Sequence, residues 1–345
     1  MLPLPTVTKY QRRTRYLDSS LRKNVLDTLT RRSRLTNLGV CLLAGLCAIS
    51  LLYNLRYWAL PPKYNNYGLY NQGSPQHDNH AHFAIKRPAS RKELNHLIMV
   101  PCHSIWKGTK SWLEEKDWQL EPYQKGPGRV RAFYEHAARG AELASHDPHS
   151  LLVFSGGQTK STSTTTEAES YLRLAQASGR LSNPSVSTRA TTENYAMDSF
   201  QNLLFSIARF YEFTGRYPTK ITVVGYEFKR ARFTQLHRKA IRWPAQSFHY
   251  VGVDPEHDSG SNAVEGERQN GYLPYAKDIY GCHSTLINKR RQRNPFSRFH
   301  PYYTSSPQIS PLFDWCPGDS EGGGDALFKG TLPWDRTTIS ISRDV

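Results

Sequence analysis

The sequence predicts an α/β fold: a three-layer Rossmann-like sandwich with a mostly parallel sheet, preceded by one transmembrane helix and followed by an irregular C-terminal extension. Two observations carry this. Between about residues 96 and 254, short continuous apolar runs alternate with stretches of helical period, the pattern of parallel strands covered on both faces. Ahead of them lies a single uncharged, mostly apolar segment, Leu38 to Leu55.

Residues 1–37 carry nine Lys/Arg and two acids, so +7 of the net charge of +16 sits there and +9 remains for the rest. The apolar segment 38–55 has about the minimum length for a helix that crosses a bilayer core. Tyr57 and Trp58 follow it as interfacial aromatics. With the basic flank in front, the positive-inside rule leaves the N-terminus in the cytosol and exports the remainder. The expectation is a single-pass signal anchor in the endomembrane system (ER or Golgi) whose first partner is the lipid bilayer. An Arg-rich, acid-poor start makes a mitochondrial membrane the alternative. A cleaved signal peptide fits badly, because the apolar run begins deep in the chain and no small-residue cleavage site follows it. Residues 56–92 are rich in Pro, Asn, Gly and His and read as a linker, with His77, His80 and His82 on a solvated stalk.

The sheet domain is placed at residues 93–282. "HLIMVP", ending at Pro101, is the first strand. "RVRAFYEHAARGAELAS" has helical spacing at Val130, Phe133, Tyr134, Ala137, Ala138 and Ala141. "SLLVFSGG" is the second strand and "TEAESYLRLAQAS" the next helix. "TTENYAMDSFQNLLFSIARFYEFTG" reads as one long helix, capped by Thr191 or Thr192 and stopped by Gly215. "KITVVGY" is the third strand, rich in β-branched residues. "KRARFTQLHRKAI" is a helix and "SFHYVGVDP" the fourth strand. Residues 283–345 turn to Pro, Gly, Arg and aromatics, and read as an extension whose rings pack on the sheet domain. Its basic-aromatic start is also of a kind that touches anionic lipid or nucleic acid, but nucleic acid is a poor partner for an exported domain.

Cys41 and Cys47 fall in the apolar segment. Cys102, Cys282 and Cys316 are an odd number for an exported domain, so one disulfide plus one thiol is expected, with the pair left open. No Asn-x-Ser/Thr acceptor exists, since Asn183 precedes proline.

Ligands of open parallel sheets bind beyond the strand carboxyl ends. The residues there are Cys102 and His103; Ser155, Gly156, Gly157 and then Glu167; Glu227, Lys229, Arg230 and Arg232; and Asp254 and Glu256. Two adjacent glycines allow close approach to the backbone, and a helix N-terminus favours an anion. Arg230 and Arg232 are candidates to neutralise it. Glu167, Glu193 and Glu227 are candidate catalytic carboxylates, for acid/base work or for holding a divalent cation, and Asn194 is a candidate to orient a polar partner. Each also has a plain reading: Thr-x-Glu is capping chemistry, Gly156-Gly157 a tight turn, and His103 an interior histidine. The stretch is neither a Walker loop nor a Gly-x-Gly-x-x-Gly fingerprint, and no Gly-x-Ser-x-Gly elbow is present.

The order Ser155-Gly156-Gly157, Thr166-Glu167-Ala168, Thr192-Glu193-Asn194 and Phe228-Lys229-Arg230-Ala231-Arg232 resembles the YdcF-like family (DUF218), which includes the bacterial SanA and ElyC proteins. The resemblance covers roughly residues 94–255. It implies a Rossmann-like domain, frequently membrane-anchored and exported, linked to envelope functions, with an S-adenosylmethionine-binding role suggested for one branch. This chain has Glu227 where the bacterial pattern often has a histidine. Its first strand ends in Val100-Pro101-Cys102-His103 rather than in glycines. The C-terminal extension lies outside the bacterial core and has a fungal look.

The resulting expectation is a membrane-anchored domain that binds a small anionic ligand, a nucleotide or phosphorylated precursor. Hydrolysis or group transfer would be its chemistry if it is an enzyme. Glu167, Glu193 and Glu227 would be its catalytic residues, and His103, Ser155, Gly156, Gly157, Asn194, Arg230 and Arg232 its ligand-binding residues. The alternative is a non-catalytic metabolite-binding or scaffolding membrane protein.

Overall fold

A computed structural model describes residues 34–59, 87–255, 261–318 and 326–335. Most of the basic N-terminal segment, His77, His80 and His82 of the linker, and Glu256 lie outside the described residues. The chain forms two compact units, residues 1–77 and 78–345.

In the first unit, α1 (Arg34–Ala59) is a continuous helix. Its window Gly39–Arg56 has a mean hydropathy of 1.6 and none of it is buried. It is long and apolar enough to cross a membrane.

The second unit is built on five parallel strands: β1 (His96–Pro101), β4 (Ser150–Ser155), β5 (Ala190–Glu193), β6 (Lys220–Gly225) and β7 (Phe248–Gly252). Their order is β5-β4-β1-β6-β7, with every neighbouring pair parallel. A two-stranded ribbon, β2 (Ile105–Trp106) and β3 (Trp118–Gln119), stands apart. β1 and β4 are buried along their whole length, as their unbroken apolar runs require. Alternate residues feed two cores. Ile98, Val100, Leu152 and Phe154 face α2 (Arg129–His146) and α3 (Glu167–Ala177). Leu97, Met99, Leu151 and Val153 face α4 (Ser199–Thr214) and the helical turns after β6.

One expected element is corrected. The helix predicted from Thr191 or Thr192 begins later, and residues 190–193 form the edge strand β5 instead, with Thr192 and Glu193 opposite Phe154 and Ser155. Paired threonines favour extended backbone. Arg209 of α4 donates to the Thr192 carbonyl and to Thr191 Oγ1, which covers the edge. The helix is capped by Asp198, which accepts from the Gln201 amide at 2.8 Å, and Gly215 ends it in a left-handed conformation (φ 80°) as expected. Glu193 and Asn194 therefore follow a strand and do not open a helix.

The C-terminal extension packs into the sheet domain's own core. Tyr302, Ile309, Leu312, Leu332 and Trp334 are buried beside α4 and the turns after β6. The disulfide is Cys282–Cys316, which closes a 34-residue separation, and Cys102 is a buried free thiol. That closed loop holds α5 (Ser284–Gln292) and the basic-aromatic stretch after it.

Candidate functional site

The connections leaving β1 and β6 part to opposite faces: α2 packs on one core and Phe233 and Leu236 on the other. The carboxyl ends of these neighbouring strands are thus the topological switch point, where α/β sheets take ligands. His103 and Lys229 stand there, with the β4–α3 connection alongside.

Lys229 ends the 3-10 turn Glu227–Lys229 that follows β6. Its ammonium lies 5.1 Å above the Tyr226 ring and 6.0 Å from Phe228, and it forms no ion pair among the described residues. Burial, then the charge of Arg232, pulls its pKa down to about 7, against the opposing charges of Glu267 and Glu167. His103 stacks on Tyr226 at 5.2 Å and meets the edge of His136 at 5.5 Å. Its Nε2 is buried without a partner, and burial plus the Lys229 charge hold it neutral.

Glu167 opens α3. Thr159 Oγ1 donates to its Oε1 at 2.6 Å. Burial raises its pKa, opposed by that hydrogen bond and by the charges of Arg293, Lys160 and Lys229. Glu167, Lys229 and His103 therefore share one mouth. Lys160, paired with Glu121, borders a shallow cleft formed by residues 119–121 and 159–162.

Gly156 and Gly157 serve a different purpose from the one expected. Their amides donate to the Glu193 carbonyl (3.0 Å) and the Ala196 carbonyl (2.7 Å), and their own carbonyls accept from the amides of Ala168 and Glu167, both at 3.1 Å. Thr166 and Glu169 complete a capping box. No free amide cradle is left at this helix start, so the glycines lock β4, β5 and α3 together rather than receive an anion. Close approach explains why they are glycines: a Cβ at Gly157 would sit 2.8 Å from the Ala196 carbonyl oxygen, and one at Gly156 would sit 2.9 Å from Glu167 Cβ. Gly157→Ala is expected to lower stability by about 1–3 kcal/mol, because a backbone oxygen must move. An unchanged urea midpoint would contradict this.

Glu193 is fully buried. The Tyr195 amide (2.8 Å) and Tyr302 hydroxyl (3.1 Å) donate to Oε1, and the Ala196 amide (3.3 Å) to Oε2. Ser155 Oγ lies 2.7 Å from Oε2 and 2.9 Å from Asn202 Oδ1. Burial nonetheless raises the Glu193 pKa to about 7. With Glu193 protonated, it donates to Ser155 and Ser155 donates to Asn202, so every oxygen has a partner. Ser155 and Glu193 form a structural hub joining β4, the loop after β5 and the C-terminal extension. Asn194 is likewise structural, accepting from Thr166 Oγ1 and donating to Thr192 Oγ1.

The remaining candidates are engaged elsewhere. Arg230 grips Glu227 with two nitrogens and donates to the Tyr250 carbonyl, above β7, while the Glu227 amide donates to Asp254. This pairing holds the Glu227 pKa below the usual carboxylate range. Arg232 forms a buried ion pair with Glu267 at 2.9 Å. The three expected carboxylates thus have separate surroundings. Among the described residues, the one group of three ligand-type side chains that converge is Cys282, His283 and Cys316, and its two sulfurs are spent in the disulfide. The donor set at the mouth does not fit a divalent cation.

The sequence places Lys229 at the strand end, just ahead of Arg230 and Arg232; Arg293 is the cation it does not announce. Arg293 arrives from the C-terminal extension, where it donates to the Met197 carbonyl at 3.2 Å and its charge reaches Glu167 and Lys229. No local pattern marks a contact made across so much sequence.

A Saccharomyces cerevisiae protein, uncharacterized protein YOR238W, is 30% identical to this chain, over 60% of this chain and 86% of its own length. This chain belongs to the family of that yeast protein. Residues 1–77 are under a quarter of the chain, so a family match of this extent takes in much of the α/β unit. No protein-family profile and no solved structure matches the chain.

Proposed function

We propose that the α/β unit binds a small phosphate- or carboxylate-bearing anion at the switch point between β1 and β6. The observation that carries this is Lys229, a half-buried cation with no ion-pair partner of its own among the described residues, near enough to the buried carboxyl of Glu167 for each charge to act on the other. Arg293 and Lys160 add positive charge to the same carboxyl's surroundings. This excess favours an anion over the sulfonium of S-adenosylmethionine. Lys229 would neutralise the bound group, and Glu167, whose carboxyl burial pushes above its ordinary range, would supply the proton for hydrolysis or group transfer. The non-catalytic alternative keeps the same binding groups and lacks turnover.

The reading extends to a YdcF-like domain carried on a single-pass anchor. The motif order supports the first part and α1 the second. The basic flank before α1 supports a cytosolic N-terminus, and the Cys282–Cys316 disulfide supports an oxidising endomembrane lumen for the α/β unit.

Inorganic pyrophosphate titrated into the full chain in detergent micelles tests the mouth. Lys229 is charged below its pKa of about 7 and neutral above it. Saturable binding is therefore expected at pH 6, and it should weaken as pH rises to 8. Absence of saturable binding at both pH values refutes the reading.

A further inference from the structure

The stretch from His283 to Phe313 contains Lys289, Arg290, Arg291, Arg293 and Arg298 and not one acid. Arg290 is committed to Asp198 (2.6 Å), and Arg298 to Gln158 and the face of Tyr195. Arg291 lies in the last turn of α5 and Arg293 opens the loop that follows it; both are exposed, and Arg293 keeps one nitrogen on the Met197 carbonyl. The same loop exposes two large apolar rings, Phe296 (44%) and Phe299 (74%). Exposure here comes with order. Asn294 braces the turn by donating to the Arg298 carbonyl (2.9 Å) and accepting from the Arg298 amide (2.8 Å), and Phe299 stacks on His300 and Tyr303. Water is a poor environment for two phenylalanines held out in this way, and an acid-free rim of arginines repels cations and attracts anionic surfaces.

We infer that residues 289–299 dock the α/β unit on an anionic phospholipid surface. Phe296 and Phe299 enter the interface, and Arg291 and Arg293 meet headgroup phosphates. A bilayer is the surface favoured over nucleic acid because the same chain carries α1, a helix apolar enough to cross one. Tethering raises the effective concentration of that bilayer around the loop, so weak individual contacts suffice.

Full-length protein is held through α1 in nanodiscs of phosphatidylcholine, with or without phosphatidylserine, and amide exchange of residues 291–299 is followed. Exchange is expected to be at least about fivefold slower in the phosphatidylserine discs, the order of effect of one basic side chain at such a surface. The slowing should vanish in the Phe296→Ser/Phe299→Ser variant while exchange in β1 and β4 is unchanged, which shows that the fold is intact. Lys229→Gln should leave the slowing in place, so failure of the mouth reading and failure of this one are distinguishable. Equal exchange in the two discs overturns the inference. So does slowing in neutral discs on adding inorganic phosphate or a single-stranded oligonucleotide alone.

Discussion

Glu193→Ala is expected to destabilise the protein by about 3–5 kcal/mol, since each buried donor left without its acceptor costs about 1–3 kcal/mol. The Tyr195 and Ala196 amides and the Tyr302 hydroxyl all point at this carboxyl, and none of them donates to another acceptor among the described residues. Tyr302 belongs to the C-terminal extension, so the variant should also become sensitive to proteolysis within residues 283–318. Activity lost in this variant would report a damaged fold rather than missing chemistry. The pH dependence has a definite sign. The folded-state pKa of about 7 lies above the ordinary carboxyl value of 4.5, so between these values the folded state holds more protons. The Glu193 contribution to stability must therefore fall as pH rises from about 4.5 to 7 and stay low above that. Glu193→Gln, with no proton to exchange, should flatten this part of the profile in urea titrations across the window. A wild-type profile that rises from pH 5 to 7, with a parallel rise in the Gln variant, would contradict this assignment.

Lys229→Gln is expected to weaken pyrophosphate binding by roughly 10- to 100-fold, the equivalent of one charge-assisted hydrogen bond of about 1.5–3 kcal/mol. The fold should survive the change. Burial penalises the ammonium, so the folded state prefers Lys229 neutral between pH 7 and 10.5, and below pH 7 the charge opposes folding. Removing it should leave stability unchanged or raise it slightly at pH 6. Loss of binding without loss of stability separates this residue from Glu193. Lys229→Arg keeps a charge that does not titrate in this range, so its binding should persist at pH 8 where that of the wild type has weakened.

Much of the fold was legible because the strands at the centre of the sheet are buried on both faces and read as unbroken apolar runs. β5 was not. A four-residue edge strand containing Thr191, Thr192 and Glu193 buries only alternate residues, and Thr-x-Glu carries the same chemistry as a helix cap. That single misreading placed Glu193 at an open mouth when it is buried and held by Ser155, Tyr195, Ala196 and Tyr302. The position of the mouth was legible, since strand ends follow from the strands. Its membership was less so. Glu227 and Arg230 were counted as two functional groups, although their three-residue spacing already allowed them to satisfy each other. Gly156 and Gly157 announce close approach, and no sequence rule says whether a ligand or another strand does the approaching. Arg293 and Tyr302 come from a segment without periodicity, and only the folded extension brings them to the sheet.

The most direct test of the account is calorimetric titration of pyrophosphate into wild type, Lys229→Gln and Lys229→Arg at pH 6 and pH 8. Wild type should bind saturably at pH 6 and more weakly at pH 8, Lys229→Gln should lose at least about tenfold at pH 6, and Lys229→Arg should change little with pH. Identical isotherms for wild type and Lys229→Gln at pH 6 would contradict it.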